Sequence, residues 1–217
     1  MSDRFRPELR VTVFSDYVCP FCYLGFLRME RLREAYDLRI NWCMMELHAD
    51  SPQEGRRPTD LGYSPEQWDR MAGDLNVLGA HDGVRWSRVE LVANSHRALL
   101  LAEAAKELGT ATFYPLHRRL FEVCLCEGRN LADERVLRAE IAALGIDPAL
   151  PDRAWQDVRY ERRLREQALA ARDLGVDVTP TFFFGRQALR GLQPAEVLVA
   201  AARAAAQEQG AETEREF

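Results

Sequence analysis

Two cysteines stand three residues apart in VTVFSDYVCPFCYLG, residues 11–25, with Pro20 and Phe21 between Cys19 and Cys22. Thiols at that spacing can bind a metal, staple a fold or exchange electrons. A structural zinc site needs about four ligands, usually two such pairs or one pair joined by paired histidines. The remaining cysteines are Cys43, alone in an apolar run, and Cys124-x-Cys126, while His48, His81, His96 and His117 show no spaced pair. No metal is therefore expected. An odd count of five cysteines also argues against a stapled framework. For electron exchange the requirement is a helix that starts at Cys19. Unpaired backbone N–H groups and the positive end of the helix dipole then favour the Cys19 thiolate. Cys22 sits one turn further on the same face, close enough to form a disulfide. Cys19 is the expected nucleophile and Cys22 the more buried resolving thiol. Neither Pro20 nor Phe21 is a cation, so the depression of the Cys19 pKa is expected to be mild.

The elements around the pair meet that requirement. LRVTVFSD, residues 9–16, reads as a buried strand. From Cys19 to about Tyr36 the apolar spacing turns helical, and LRINWCMMEL, residues 38–47, reads as a second strand. Strand, helix and strand in succession predict a βαβ unit with a parallel pair. Residues 48–65 are loop-like, and Ser64-Pro65-Glu66-Gln67 predicts a helix start with a capping box. Helices are expected near 65–79, 88–108, 111–127, 132–144 and 152–174, with Gly109, Gly128, Gly145 and Gly175 at their stops. TFFF (181–184) and QALR (187–190) flank a Gly185-Arg186 hairpin turn, and Pro194 opens a last helix that frays over GAETEREF. The fold class is α/β. Residues 9–60 and 161–208 are expected to form one discontinuous domain, with 61–160 as an all-helical insertion.

Composition narrows the function. A net charge of −5 offers nucleic acid no overall attraction. No apolar stretch reaches the roughly 18 residues needed to span a bilayer. MSDRFRPELR has no apolar segment of the kind that directs export, so a cytoplasmic location is expected. Structural disulfides are rare in that compartment, which favours a catalytic use of the pair.

A second feature lies far along the chain. Val178-Thr179-Pro180 precedes the TFFF strand. Proline is disfavoured inside a central strand, and at a strand entrance it marks either a trans loop end or a deliberate cis bond.

Together these features resemble the thioredoxin fold of the DsbA family, and within it the cytoplasmic FrnE-like branch. The stretches that carry the resemblance are SDYVCPFCYLG, WCMMELHADSPQEG, NSHRALLLAEAAKELG, LHRRLFEVCLCEGRNLADERVL and GVDVTPTFFFGRQALRGLQPAEVL. It implies a thiol–disulfide oxidoreductase in which Cys19 attacks and Cys22 resolves. Thr179-Pro180 would form a cis-proline loop facing Cys19 and pairing with substrate backbone. Asp16 would either cap the active-site helix or assist a proton at Cys22; it also reads as a plain loop aspartate. The chain departs from the periplasmic pattern in lacking an export segment, in Phe21 where a histidine would strengthen oxidation, and in Val13 where a buried acid stands. A strongly oxidising couple is not expected.

The Cys19–Cys22 dithiol/disulfide pair itself would carry the electrons, with no other cofactor; glutathione is a possible co-substrate, and thioredoxin or glutathione a possible electron partner. Substrates would be protein or small-molecule thiols and disulfides, and the chain a monomer or homodimer. Kappa-class glutathione transferases and hydroxychromene carboxylate isomerases resemble the same architecture, but typically place serine where Cys19 stands. Cys43, Cys124 and Cys126 are expected to pack as small apolar residues, Trp42, Trp68, Trp86 and Trp155 to fill core, and the histidines to lie at surfaces or caps. Glu46 and His48, just past the second strand, are weaker site candidates.

Overall fold

The structure, a computed structural model, describes residues 6–88 and 90–215, the last five of these as backbone only. Strands β1 (Glu8–Ser15) and β2 (Asp37–Met44) run parallel, joined by helix α1 (Pro20–Glu30) and a short 3-10 turn. Strands β3 (Thr181–Phe184) and β4 (Gln187–Arg190) form the hairpin, and β3 pairs antiparallel to β1, giving the order β2-β1-β3-β4. Helix α8 (Ala195–Arg215) follows. This is the βαβ and ββα arrangement expected from the sequence. Between β2 and β3 lie α2 (Pro65–His81), α3 (His96–Lys106), α4 (Thr110–Phe121), α5 (Glu134–Ala143), α6 (Leu150–Gln156) and α7 (Val158–Asp173).

Alternation along β1 sends Leu9, Val11 and Val13 to one face, where they join a core built from α1, α8 and the helical block. Phe14 points the other way, into a smaller cluster with Cys43 and with Ala171 and Val176 of the α7 end. The expected capping box forms: Ser64 Oγ accepts from Gln67 N at 3.2 Å and Gln67 Oε1 accepts from Ser64 N at 2.7 Å. Gly175, at φ 65°, turns the chain after α7, and Val176 N–H returns to Ala171 O at 2.8 Å. That left-handed turn is one a side chain would strain.

Several boundaries differ from expectation. The helix expected over 88–108 begins only at His96, because the Asn94 side chain accepts the His96 N–H at 2.9 Å and holds a turn there; residue 89 of that span lies outside the described residues. The helix expected over 152–174 is two. Asp157 leaves helical geometry at ψ 108° and caps α7 through the Arg159 N–H, the usual preference of aspartate for a helix start. The helix expected over 111–127 widens after Phe121 into a π-turn, Glu122–Cys126. β2 stops at Met44 rather than 47. The tail expected to fray continues α8 through Arg215, and 216–217 lie outside the described residues.

The outer edge of β2 is closed by side chains. Lys106 Nζ donates to Trp42 O at 2.6 Å, Arg33 donates to Leu38 O at 2.9 Å, and Gln167 Oε1 accepts from Met44 N at 2.6 Å. Lys106 and Gln167 also meet on the buried Glu103 carboxylate. An edge strand with open N–H and C=O groups invites pairing with another chain; here three side chains occupy it. Breaking a buried ion pair leaves a charge without compensation. Lys106→Met should therefore lose about 2–3 kcal/mol in urea unfolding, and Glu103→Gln in the same chain should restore most of it; additive losses would contradict the coupling.

Candidate active site

Cys19 is the N-cap of α1. Its backbone is extended (φ −93°, ψ 112°), Pro20 occupies the first helical turn, and no side chain caps the helix end. Proline fits there because the N–H it lacks has no partner inside the helix. The Cys22 and Tyr23 N–H groups return to Cys19 O at 3.0 and 3.3 Å. Both thiols are free and buried, Cys19 at 6% exposure and Cys22 at 1%. Cys19 is the outer of the two, as the attacking role requires.

The loop before β3 closes over it. The Thr179–Pro180 peptide is cis, and Cys19 Sγ lies 3.6 Å from Thr179 O. Gly25 permits this approach. A Cβ there would stand 2.8 Å from Phe182 Cζ and 3.2 Å from Pro180 Cγ, and Phe182 is fully buried with nowhere to retreat. Sequence reasoning passed over Gly25. The signal was a glycine inside a helix, which costs about 1 kcal/mol relative to alanine and calls for a packing reason.

The two thiols are driven apart electrostatically. The Cys22 thiol, hydrogen-bonded to Cys19, is the main cause holding Cys19 below the ordinary thiol pKa; the Cys22 backbone N–H adds to it, while burial and the Asp16 charge oppose. Burial first, then that same hydrogen bond, pushes Cys22 well above. Burial likewise raises Cys43, Cys126 to about 11 and Cys124 to about 12. Cys19 is thus the one cysteine whose environment favours thiolate.

Asp16 does not cap α1, correcting one of its expected roles. Its carboxylate is 1% exposed and turns to the other side, accepting from Leu47 N at 2.8 Å and Val18 N at 3.4 Å. Burial pushes its pKa from 3.8 up to about 6. Val13 is apolar core, so the buried acid near the thiols stands three residues closer to them.

One histidine departs from its expected place at a surface or cap. His117 is 1% exposed, joined to Tyr17 Oη through Nδ1 at 2.7 Å and ringed by Trp42, Phe113, Phe26 and Phe121. Burial holds it well below the ordinary imidazole pKa. The sequence carried that signal: Phe113, Leu116, Leu120 and Phe121 place it on an apolar helix face. His96 lies between Glu46 and Glu161. Cys124 and Cys126 pack against the core as expected, Cys126 also lining a cavity of about 460 Å³ beside Tyr23 and Leu27. A larger groove of about 940 Å³ lies at the opposite ends of β1 and β2, around Thr12, Arg39 and Tyr114. Among the described residues no group of His, Cys, Asp and Glu is arranged to hold a metal ion, and no helix is long and apolar enough to cross a membrane.

Residues 10–203 match the DSBA-like thioredoxin domain family. The chain belongs to that family. Among solved structures it is similar to the probable DsbA oxidoreductase SCO1869 from Streptomyces coelicolor, with TM-score 0.79, 23% identity and coverage of 94% of this chain and 91% of that one. A 2-hydroxychromene-2-carboxylate isomerase follows at TM-score 0.73 and 21% identity, over 94% and 99%. The cytosolic disulfide reductase DsbM from Pseudomonas aeruginosa, with GSH, gives 0.65 and 16%, over 95% and 100%. At these identities the likeness is one of fold.

Two predictions follow from the electrostatics. Timed alkylation with peptide mapping should label Cys19 well before Cys22, Cys43, Cys124 and Cys126 near neutral pH; equal rates would contradict the asymmetry. For Asp16 the folded pKa lies above the unfolded one, so its contribution to stability is present below pH 3.8 and lost as pH rises through about 6. Asp16→Asn, which keeps an acceptor for Leu47 N–H, should raise stability at pH 7 by about 2–3 kcal/mol and flatten its pH dependence between those values.

Proposed function

We propose that this family member is a thiol–disulfide oxidoreductase working through Cys19 and Cys22. The observation that carries the reading is the asymmetry of the pair: an outer thiol at an uncapped helix end with depressed pKa, and an inner thiol held protonated.

In the reductive direction Cys19 thiolate attacks one sulfur of a substrate disulfide. A Cys19–substrate mixed disulfide forms and the other substrate sulfur leaves as thiolate. Cys22 then gives its proton to the Asp16 carboxylate and attacks Cys19 Sγ. The Cys19–Cys22 disulfide forms, the second substrate sulfur leaves, and the substrate has gained the two electrons the dithiol lost. The oxidative direction is the reverse. Thr179 and Pro180 hold substrate backbone beside Cys19, and Pro20 and Phe21 shape the helix end.

Phe21, Leu47 and Val178 are each 38–39% exposed. Phe21 lies within the CxxC, Leu47 in the turn bonded to Asp16, and Val178 next to Thr179. That apolar rim supports substrates carrying apolar groups beside the disulfide, as partly folded polypeptides do. Glutathione or thioredoxin would restore the dithiol. A cytoplasmic location is in line with the cytosolic fold neighbour.

Single-residue variants test the mechanism. Cys22→Ser should accumulate the mixed disulfide on Cys19, visible by non-reducing mass spectrometry, because no resolving thiol remains. Cys19→Ser should lose turnover of a disulfide substrate by at least about 10³-fold, on the scale of losing a covalent nucleophile. A Cys19→Ser protein that instead kept full activity with glutathione would favour the isomerase or transferase chemistry and overturn the dithiol mechanism.

A further inference from the structure

His96 stands where a surface or capping histidine was expected, yet both of its ring nitrogens are engaged. Nδ1 lies 3.0 Å from Glu46 Oε2 and Nε2 lies 3.1 Å from Glu161 Oε2. A neutral imidazole has one N–H and one lone pair, so it can donate to only one carboxylate and must repel the other. Only the imidazolium satisfies both. The clamp joins three elements: the turn after β2, the first residue of α3 and the first turns of α7. Its backbone end is fixed as well, since His96 N–H donates to Asn94 Oδ1 at 2.9 Å.

The turn it holds is the one that reaches the thiols. Glu46 is followed by Leu47, whose N–H is the shorter of the hydrogen bonds on the buried Asp16 carboxylate, at 2.8 Å. The same turn is pinned from behind by Met45 N–H on Ser15 O at 2.9 Å. Side-chain charge and backbone donor therefore arrive at Asp16 through one short segment. Glu46, when uncompensated, repels a charge on Asp16; the Leu47 N–H stabilises that charge.

We propose that His96, as an imidazolium between Glu46 and Glu161, is a positioning residue for the dithiol: it neutralises Glu46 and fixes the turn whose Leu47 N–H holds the Asp16 carboxylate. This rests on the reading of Asp16 as the proton acceptor for Cys22. The charged groups around His96 are Glu46 on the turn after β2 and Glu161 on α7, with Arg165 on α7 4.0 Å from Glu161. Its neighbour Arg97 is committed elsewhere, to Glu134 at 2.9 Å. The carboxylates on both sides raise the pKa of His96, the Glu46 hydrogen bond most, so the clamp opens as rising pH removes the second ring proton.

Both effects of losing the imidazolium act on Asp16 in one direction. Glu46 regains its repulsion and the Leu47 N–H is less firmly held, so Asp16 becomes harder to ionise. Removing the Glu46 charge does the opposite. The test is the carboxyl titration of Asp16 by ¹³C NMR in wild type, His96→Gln and Glu46→Gln, beside the pH profile for resolution of a preformed Cys19 mixed disulfide. Gln at 96 still donates one hydrogen bond, and circular dichroism at each pH checks that both variants remain folded. The Asp16 midpoint should move up in His96→Gln and down in Glu46→Gln, and the resolution profile should move with it. No shift in either folded variant, or shifts of the same sign, would overturn the clamp. Shifts of opposite sign with a resolution profile that stays in place would overturn His96's part in the reaction through its other premise, the proton-accepting role of Asp16.

Discussion

The open end of α1 is the constraint on which the rest depends. A helix start usually carries a Ser, Thr, Asp or Asn whose side chain satisfies the first N–H groups. Here the N-cap is Cys19, and nothing else caps the end. The thiolate is the group that the helix end can stabilise, and the Cys22 thiol one turn on adds a donor to it. Asp16, three residues earlier and a natural cap by type, is turned away to Leu47 and Val18. Were it to cap α1, its charge would occupy the place where the Cys19 thiolate develops. The chain separates the two negative groups by burying one and leaving the other at the mouth.

That separation is held from several directions. Gly25 lets α1 lie against Pro180 and Phe182, which brings Cys19 to the Thr179 carbonyl. The Tyr17–His117 hydrogen bond, inside its ring of aromatic side chains, anchors the segment just before the motif to α4. Lys106, Gln167 and Glu103 fasten β2 to α3 and α7, and β2 ends in the turn that donates to Asp16. The buried carboxylate is the strained member of this set. Its desolvation opposes folding at neutral pH, a stability loss of the kind seen where an active site needs a group in an unfavourable place.

Much of this was legible before any coordinates. The β-rich apolar runs at 9–16 and 181–184, the helical spacing after Cys19 and the glycine stops identify the α/β order, because each is a local signal. The CxxC could be assigned thiols of unequal exposure from helix geometry alone. What escaped was set by tertiary contact. Asp157 looks like a mid-helix residue until its side chain caps the next segment, and Asn94 stops an otherwise apolar helix by a side-chain hydrogen bond. The direction of Asp16 depends on Leu47, 31 residues away. His96 meets Glu46 and Glu161 only because three separate elements converge. His117 and Gly25 are different: an apolar helix face and a glycine inside a helix announced both.

The most direct single measurement is the reduction potential of the chain in glutathione redox buffers, with alkylation and mass mapping to assign each sulfur. A reversible two-electron couple confined to Cys19 and Cys22 is expected. Neither Pro20 nor Phe21 adds a cation beside Cys19, so the potential should lie nearer the reducing value of thioredoxin, about −270 mV, than the oxidising value of DsbA, about −120 mV. Oxidation that left Cys19 and Cys22 as free thiols across that range, or that fell on Cys124 and Cys126 instead, would contradict the dithiol mechanism.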